Sequence, residues 1–178
     1  GDNVFKQSAP IIKLPAGASE DEHLALLGLL NSSIACFWFK QVCHNKGGGG
    51  IGGGIASEAW EQFLEFTGTH LEKFPLAPSQ PNTLRLARQL DALAQQYAAH
   101  EPSRVPPTLE SLATAQNQQH KIRSEMIALQ EELDWLSYQL YGILDQAPLS
   151  PQPEPLQLGE RAFEMSLARA KEDTTWFT

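Results

Sequence analysis

Residues 40–46, Lys-Gln-Val-Cys-His-Asn-Lys, bring two ammonium groups, two side-chain amides and an imidazole into seven positions. These are the group types that meet phosphate oxygens and the donor–acceptor edges of bases. Lys40 and Lys46, with Lys73 further on, are the candidate phosphate contacts; Gln41, His44 and Asn45 are the candidates for base edges. A solvated helix end explains the same residues, since lysine is favoured near the C-terminal dipole.

Other constellations fail on their chemistry. Residues 47–54 read GGGGIGGG, but Ile55-Ala56-Ser57 follows where a phosphate loop needs Lys and Ser or Thr opening a helix. A dinucleotide fingerprint needs a preceding strand, and the preceding segment reads as helix. Cys36 and Cys43 stand seven apart beside His44, with no second ligand pair nearby for a structural zinc site. The five histidines are scattered. No nucleophile–base pair, metal set or cofactor motif remains, so no catalytic, cofactor-binding or metal-ligating residue is assigned.

The elements that must position residues 40–46 begin upstream. Val4, Phe5, Ile11, Ile12 and Leu14 around Pro10 read as one or two short strands. Ser19 with Glu22 three residues later forms a capping box, and Leu24, Leu27, Leu30 and Ile34 recur at helical spacing. The apolar residues surround this helix, which predicts a central, buried element; Asn31-Ser32-Ser33 is the place where it would split in two. The glycine run 47–54 reads as a mobile surface loop. Residues 58–66 fit either a short helix or a strand. Thr67-Gly68-Thr69 reads as a turn, and Leu71 to Leu76 as a short strand ending between Pro75 and Pro78.

Beyond residue 80 the pattern is helical. Leu86, Leu90, Leu93 and Tyr97 mark one helix, which the prolines around Val105 end. A longer helix from Leu109 to Leu144 carries Ile122, Met126, Leu129, Leu133, Leu136, Leu140 and Ile143 as a seam of alternating three- and four-residue steps. Glu131-Glu132 reads as part of its solvated side. Gly142 reads as its end. Trp38 and Phe37 read as core rather than stacking residues. Residues 145–158 are proline-rich, an extended spacer, and 159–178 read as a short docked helix and tail. The fold class is α+β, predominantly helical: a small β-containing module over residues 1–80, then an antiparallel helical hairpin over 82–144.

Composition narrows the function further. The 178 residues carry 13 Lys+Arg against 21 Asp+Glu, a net charge of -8, which argues against gripping nucleic acid by bulk charge but leaves room for a local basic loop. No stretch of about 18 apolar residues spans a membrane, no secretory signal opens the chain, and two cysteines suit a reduced, cytoplasmic protein. Strand-like sequence from the first residue, with no initiator Met, suggests a piece of a longer protein.

The phrases LLGLLNSSIACFWFKQVCHNKG, FLEFTGTHLEKFPL, EELDWLSYQLYGIL and GERAFEMSLAR resemble, in order, the C-terminal part of the adenine-specific DNA methyltransferases of phage-growth-limitation and BREX defence systems. Those proteins are in turn similar to the fused methylases of Type II restriction-modification systems. The resemblance implies an upstream domain that binds S-adenosylmethionine and methylates adenine N6 through an Asn-Pro-Pro-Tyr/Phe phrase. No Asn-Pro occurs here, and Val105 precedes Pro106-Pro107. What the resemblance implies for this chain is a non-catalytic target-recognition and connector fragment, with no cofactor of its own. Its partners would be double-stranded DNA, the upstream methyltransferase domain of the same chain and other defence-system subunits. The alternative is a protein-docking module of a defence complex that does not contact DNA.

Overall fold

The computed structural model describes residues 11–45 and 64–170, which are predominantly helical. The capping box at Ser19 forms as its spacing predicts: the Glu22 carboxylate accepts from Ser19 N at 2.7 Å and Ser19 Oγ accepts from Glu22 N at 3.3 Å. It opens α1 (Glu20–Leu30). The buried Ser32 then caps α2 (Ser33–Val42), its Oγ accepting from Ala35 N and donating to Leu29 O. The apolar run therefore splits at Asn31-Ser32 into two helices bent by 63°. Neither is buried all round: Leu27 and Phe37 are exposed, so the expectation of a wholly buried helix, and of Phe37 in the core, is corrected. No single helix among the described residues is long and apolar enough to cross a membrane.

After Cys43 the chain enters β1 (His44–Asn45), which pairs antiparallel with β2 (Leu64–Glu65), His44 opposite Glu65. Residue 46 and the glycine run 47–54 lie outside the described residues, as does most of 58–66; of that ambiguous stretch, residues 64–65 are strand. Residues 11–15 form no strand, and residues 1–10 lie outside the description. The predicted turn and strand at 67–76 is instead α3 (Gly68–Glu72), closed by Lys73. The reason is one buried ring. Phe74 packs on Phe39 at 5.4 Å between centroids, on Trp38 at 6.4 Å and on Tyr141 at 6.3 Å, and a single aromatic anchor needs no strand pairing.

Two long helices carry the rest: α4 (Pro81–Ala99), with proline at its first position, and α5 (Leu109–Leu140). Leu86, Leu133, Leu136 and Ala147 form one core cluster, flanked by Leu90, Leu129 and Trp135. Ala35, Phe39, Cys43 and Phe74 form the other. α1 crosses α4 at Gly28, where a Cβ would stand 2.8 Å from the Ala87 Cβ, so the two axes approach more closely than two alanines permit. Gly142, at φ 70°, follows the last turn of α5 as expected; Ile143, placed on the seam by its spacing, lies beyond the helix end and is exposed.

The proline-rich segment is fastened along α5. Ala147 N donates to Gln139 Oε1, Ser150 N to Glu132 Oε2 at 2.9 Å, Leu156 N to Ser124 O and Gln157 Nε2 to Ser124 Oγ at 2.7 Å. The chain then reverses at Gly159, φ 92°, into α6 (Ala162–Ala170).

Candidate functional site

The last turn of α2 delivers the predicted contact residues. Ala35, Trp38, Phe39 and Val42 turn toward the core, so Cys36, Phe37, Lys40 and Gln41 share the outer face. Gln41 is exposed and Lys40 half-buried. Cys43 ends the helix with a buried thiol that burial pushes above its ordinary pKa, which disfavours thiolate chemistry. Cys36, seven positions earlier, is exposed. Seven positions would align two thiols on one face of a continuous helix, but Cys43 stands at the extended C-cap, one thiol is outside and one inside, and among the described residues no group of three or more His, Cys, Asp or Glu is arranged to hold a metal ion. His44 and Asn45 follow in β1. Lys73 is exposed at the end of α3, which packs against α2. Lys46 lies outside the described residues. The structure thus places Lys40, Gln41, His44 and Asn45 on consecutive elements, with Lys73 on a neighbouring one.

A second constellation, absent from the sequence reading, holds α2 in place. Asp134 of α5, its side chain 4% exposed, accepts from Ser33 N at 2.7 Å with Oδ1 and from the Arg161 guanidinium with Oδ2. Arg161 Nε also donates to Glu131 Oε2 at 2.8 Å, and Ala162 N to Glu131 Oε1. Gln130 Nε2 bridges Asp134 Oδ1 and Asn31 O. Ser33 Oγ donates to Tyr138 OH. One buried carboxylate therefore joins the first peptide N–H of α2, the middle of α5 and the entry to α6. Burial pushes the Asp134 carboxyl above its ordinary range, against the pull of Ser33 N and Arg161. Burial likewise opposes the Arg161 charge, but Glu131 and Asp134 more than restore it.

Glu131 and Glu132 are accordingly not on a solvated face. Glu131 is 12% and Asp134 4% exposed at the side chain, and Glu132 is buried, its carboxyl pushed up chiefly by desolvation. The signal was present: position 132 lies three after Leu129 and four before Leu136, so it flanks the seam beside Leu133. Arg161 also gave notice, because a cation just ahead of a helix N-terminus opposes the dipole and requires an acid partner.

Beside this clasp runs a cleft of about 460 Å³ between α4, α5 and residues 158–164, with Leu90, Met126, Ile127 and Phe163 on its apolar wall and Tyr97 and Arg123 among its polar groups.

Over 93% of its length the chain matches part of an adenine-specific methyltransferase. That relative is PglX of Streptomyces coelicolor, 47% identical across 179 residues, and the chain spans about 15% of its length. Residues 126–178, from the middle of α5 onward, match a family described as a domain of unknown function, DUF7008. No solved structure matches.

Proposed function

We propose that this chain is the target-recognition and connector portion of an adenine-specific (N6) DNA methyltransferase in a bacterial restriction-modification or phage-defence system of the BREX or phage-growth-limitation kind. The observation that carries the reading is the 47% identity across nearly the whole chain to a segment of PglX. Catalysis then belongs to an upstream domain, with S-adenosylmethionine as its cofactor. The residues described here do not fit that cofactor: the open cleft is largely apolar, and its Arg161 and Glu164 are spent on internal bonds. No step of methyl transfer is assigned to this chain.

Its own work is positioning. Lys40, Lys46 and Lys73 neutralise phosphates, while Gln41, His44 and Asn45 meet base edges exposed in a groove. The clasp at Asp134 fixes the start of α2, and so the direction in which the helix presents Lys40 and Gln41. α4 and α5 serve as an antiparallel hairpin that spaces this recognition unit, residues 1–80, from other parts of the protein. The clustering of Leu86 with Leu133 and Leu136, and of Tyr97 with Arg123 and Met126, supports opposite chain directions.

Fluorescence anisotropy of labelled duplex DNA at two salt concentrations tests the reading. Binding should fall with salt, and the Lys40→Ala/Lys46→Ala variant should bind more weakly with a slope reduced by roughly 2. Absent binding, or an unchanged variant, overturns DNA recognition. The apolar cleft beside α6 favours the second reading, a protein-docking module that makes no DNA contact.

A further inference from the structure

We propose that the cleft between α4, α5 and residues 158–164 docks this chain on the rest of a longer methyltransferase polypeptide. The docking element is a short segment of that polypeptide with a large apolar side chain and an Asp or Glu within two residues of it. The inference rests on the connector part of the proposed function and requires no DNA contact.

Two helical stripes build the cleft. Arg123, Met126, Ile127 and Gln130 stand at i, i+3, i+4 and i+7 of α5, one face over two turns, and Leu90 and Tyr97 stand two turns apart on α4. Seven residues of helix rise about 10 Å, a length that about three residues of extended chain cover. The floor is apolar: Leu90, Met126 and Ile127 are half-buried, and Leu158 on the lip is 64% exposed. The volume of about 460 Å³ is that of a formed ligand site.

Charge selects the occupant. Arg161 and Glu164 are spent, the first on Glu131 and Asp134, the second on the N–H groups of Gly159 and Arg161. Among the described residues nothing bonds or pairs with the exposed Arg123 guanidinium or the Tyr97 hydroxyl. Acids outnumber bases 21 to 13 in this chain, so Arg123 is not left unpaired for want of carboxylates. A guanidinium fork at the rim of an apolar floor matches a carboxylate bidentately while the floor takes the neighbouring side chain. A phosphate backbone would satisfy the fork but leave Leu90, Met126 and Ile127 without a partner, so the cleft suits a peptide rather than nucleic acid.

Length points to the source. The chain spans about 15% of the PglX relative, and a segment tethered in the same polypeptide meets the cleft at a roughly millimolar effective concentration. One ion pair and one apolar side chain then suffice, although they would hold a free peptide weakly. Met126, Ile127, Gln130 and Leu158 all fall within the DUF7008 match at residues 126–178, so most of the docking surface belongs to that domain.

The test uses the full-length polypeptide with p-benzoylphenylalanine in place of Leu158, where exposure spares the core, and reads photo-cross-linked residues by mass spectrometry. The cross-link should fall on the same polypeptide outside residues 1–178, in a segment with an apolar side chain and a nearby carboxylate. Arg123→Glu should lower the yield about tenfold by setting like charges together, and Arg123→Lys should retain part of it; circular dichroism checks that both variants fold. A yield indifferent to Arg123→Glu, or no cross-link, overturns the proposal. So does a cross-link to residues 171–178, which would make the occupant this chain's own tail, or one between isotopically distinct copies, which would make it a second molecule. Duplex-DNA anisotropy of the 178-residue protein keeps the two readings apart: DNA binding without the cross-link sinks docking alone, and the cross-link without DNA binding sinks recognition alone.

Discussion

Replacing Arg161 with alanine removes the only cation within ion-pair distance of Asp134 and Glu131 among the described residues. The Arg161 side chain is 15% exposed, and its two partners 12% and 4%, so solvent screens the pair poorly. Breaking a buried pair by deleting one partner costs roughly 3–5 kcal/mol. Asp134 has an escape that bounds the figure: it takes up a proton. From an ordinary pKa of 3.8, holding it neutral costs about 4 kcal/mol at pH 7 and about 1.6 kcal/mol at pH 5. Because burial already raises the wild-type Asp134 carboxyl, these figures are ceilings: the expected loss is up to about 3–4 kcal/mol at pH 7 and at most about 1.5 kcal/mol at pH 5. The sign follows from the raised folded-state pKa: in each protein the stability is full below the unfolded pKa and is lost as pH rises through the folded one, and the variant, lacking the lowering pull of Arg161, loses more. Urea unfolding of both proteins, followed by circular dichroism at the two pH values, measures it. A loss below 1 kcal/mol at pH 7, or one equal at both pH values, refutes the view that buried charge is what Arg161 relieves.

Glu132→Gln keeps an acceptor for Ser150 N while removing a charge that burial disfavours. Thermal denaturation at pH 7 should show a variant as stable as the wild type or better by about 1 kcal/mol, with the gap closing as pH falls and Glu132 gains its own proton; a clear destabilisation at pH 7 would count against this. Gly28→Ala should cost about 1–3 kcal/mol through the 2.8 Å approach to the Ala87 Cβ. Ala87→Gly in the same chain should return part of that loss in urea titrations, and strictly additive losses would refute a shared steric cause.

The sequence was most legible where structure is local. Ser19 with Glu22 and Gly142 after α5 each act through backbone groups within a few residues, and both read correctly; Pro81, which opens α4, gave the same kind of local signal but was not read. The division of the first helix was legible too, because Asn31-Ser32-Ser33 offers a serine to cap a second one. Residues 71–76 misled because Leu71 and Phe74 carry a strand-like apolar signal that the aromatic cluster around Phe39 uses from a helix and a turn. Phe37 misled for the opposite reason: a fully apolar run gives no sign of which side will face water. Glu131 and Asp134 could be placed only with knowledge that Arg161, some thirty residues on, comes back to meet them.

That separation also sets an order of events during synthesis. Asp134 can accept from Ser33, 101 residues earlier, as soon as α5 is available, but its cation is 27 residues further along the chain. At about 5–20 residues per second, α5 waits a few seconds with its acids uncompensated before the proline-rich segment and Arg161 emerge to close over it. The charge on the carboxylate that caps α2 is thus compensated last, by a residue translated long after the helices it joins. Once residues 140 to 160 have emerged, but not Arg161, the nascent chain holds α1, α2 and α5 with the Asp134 clasp still open.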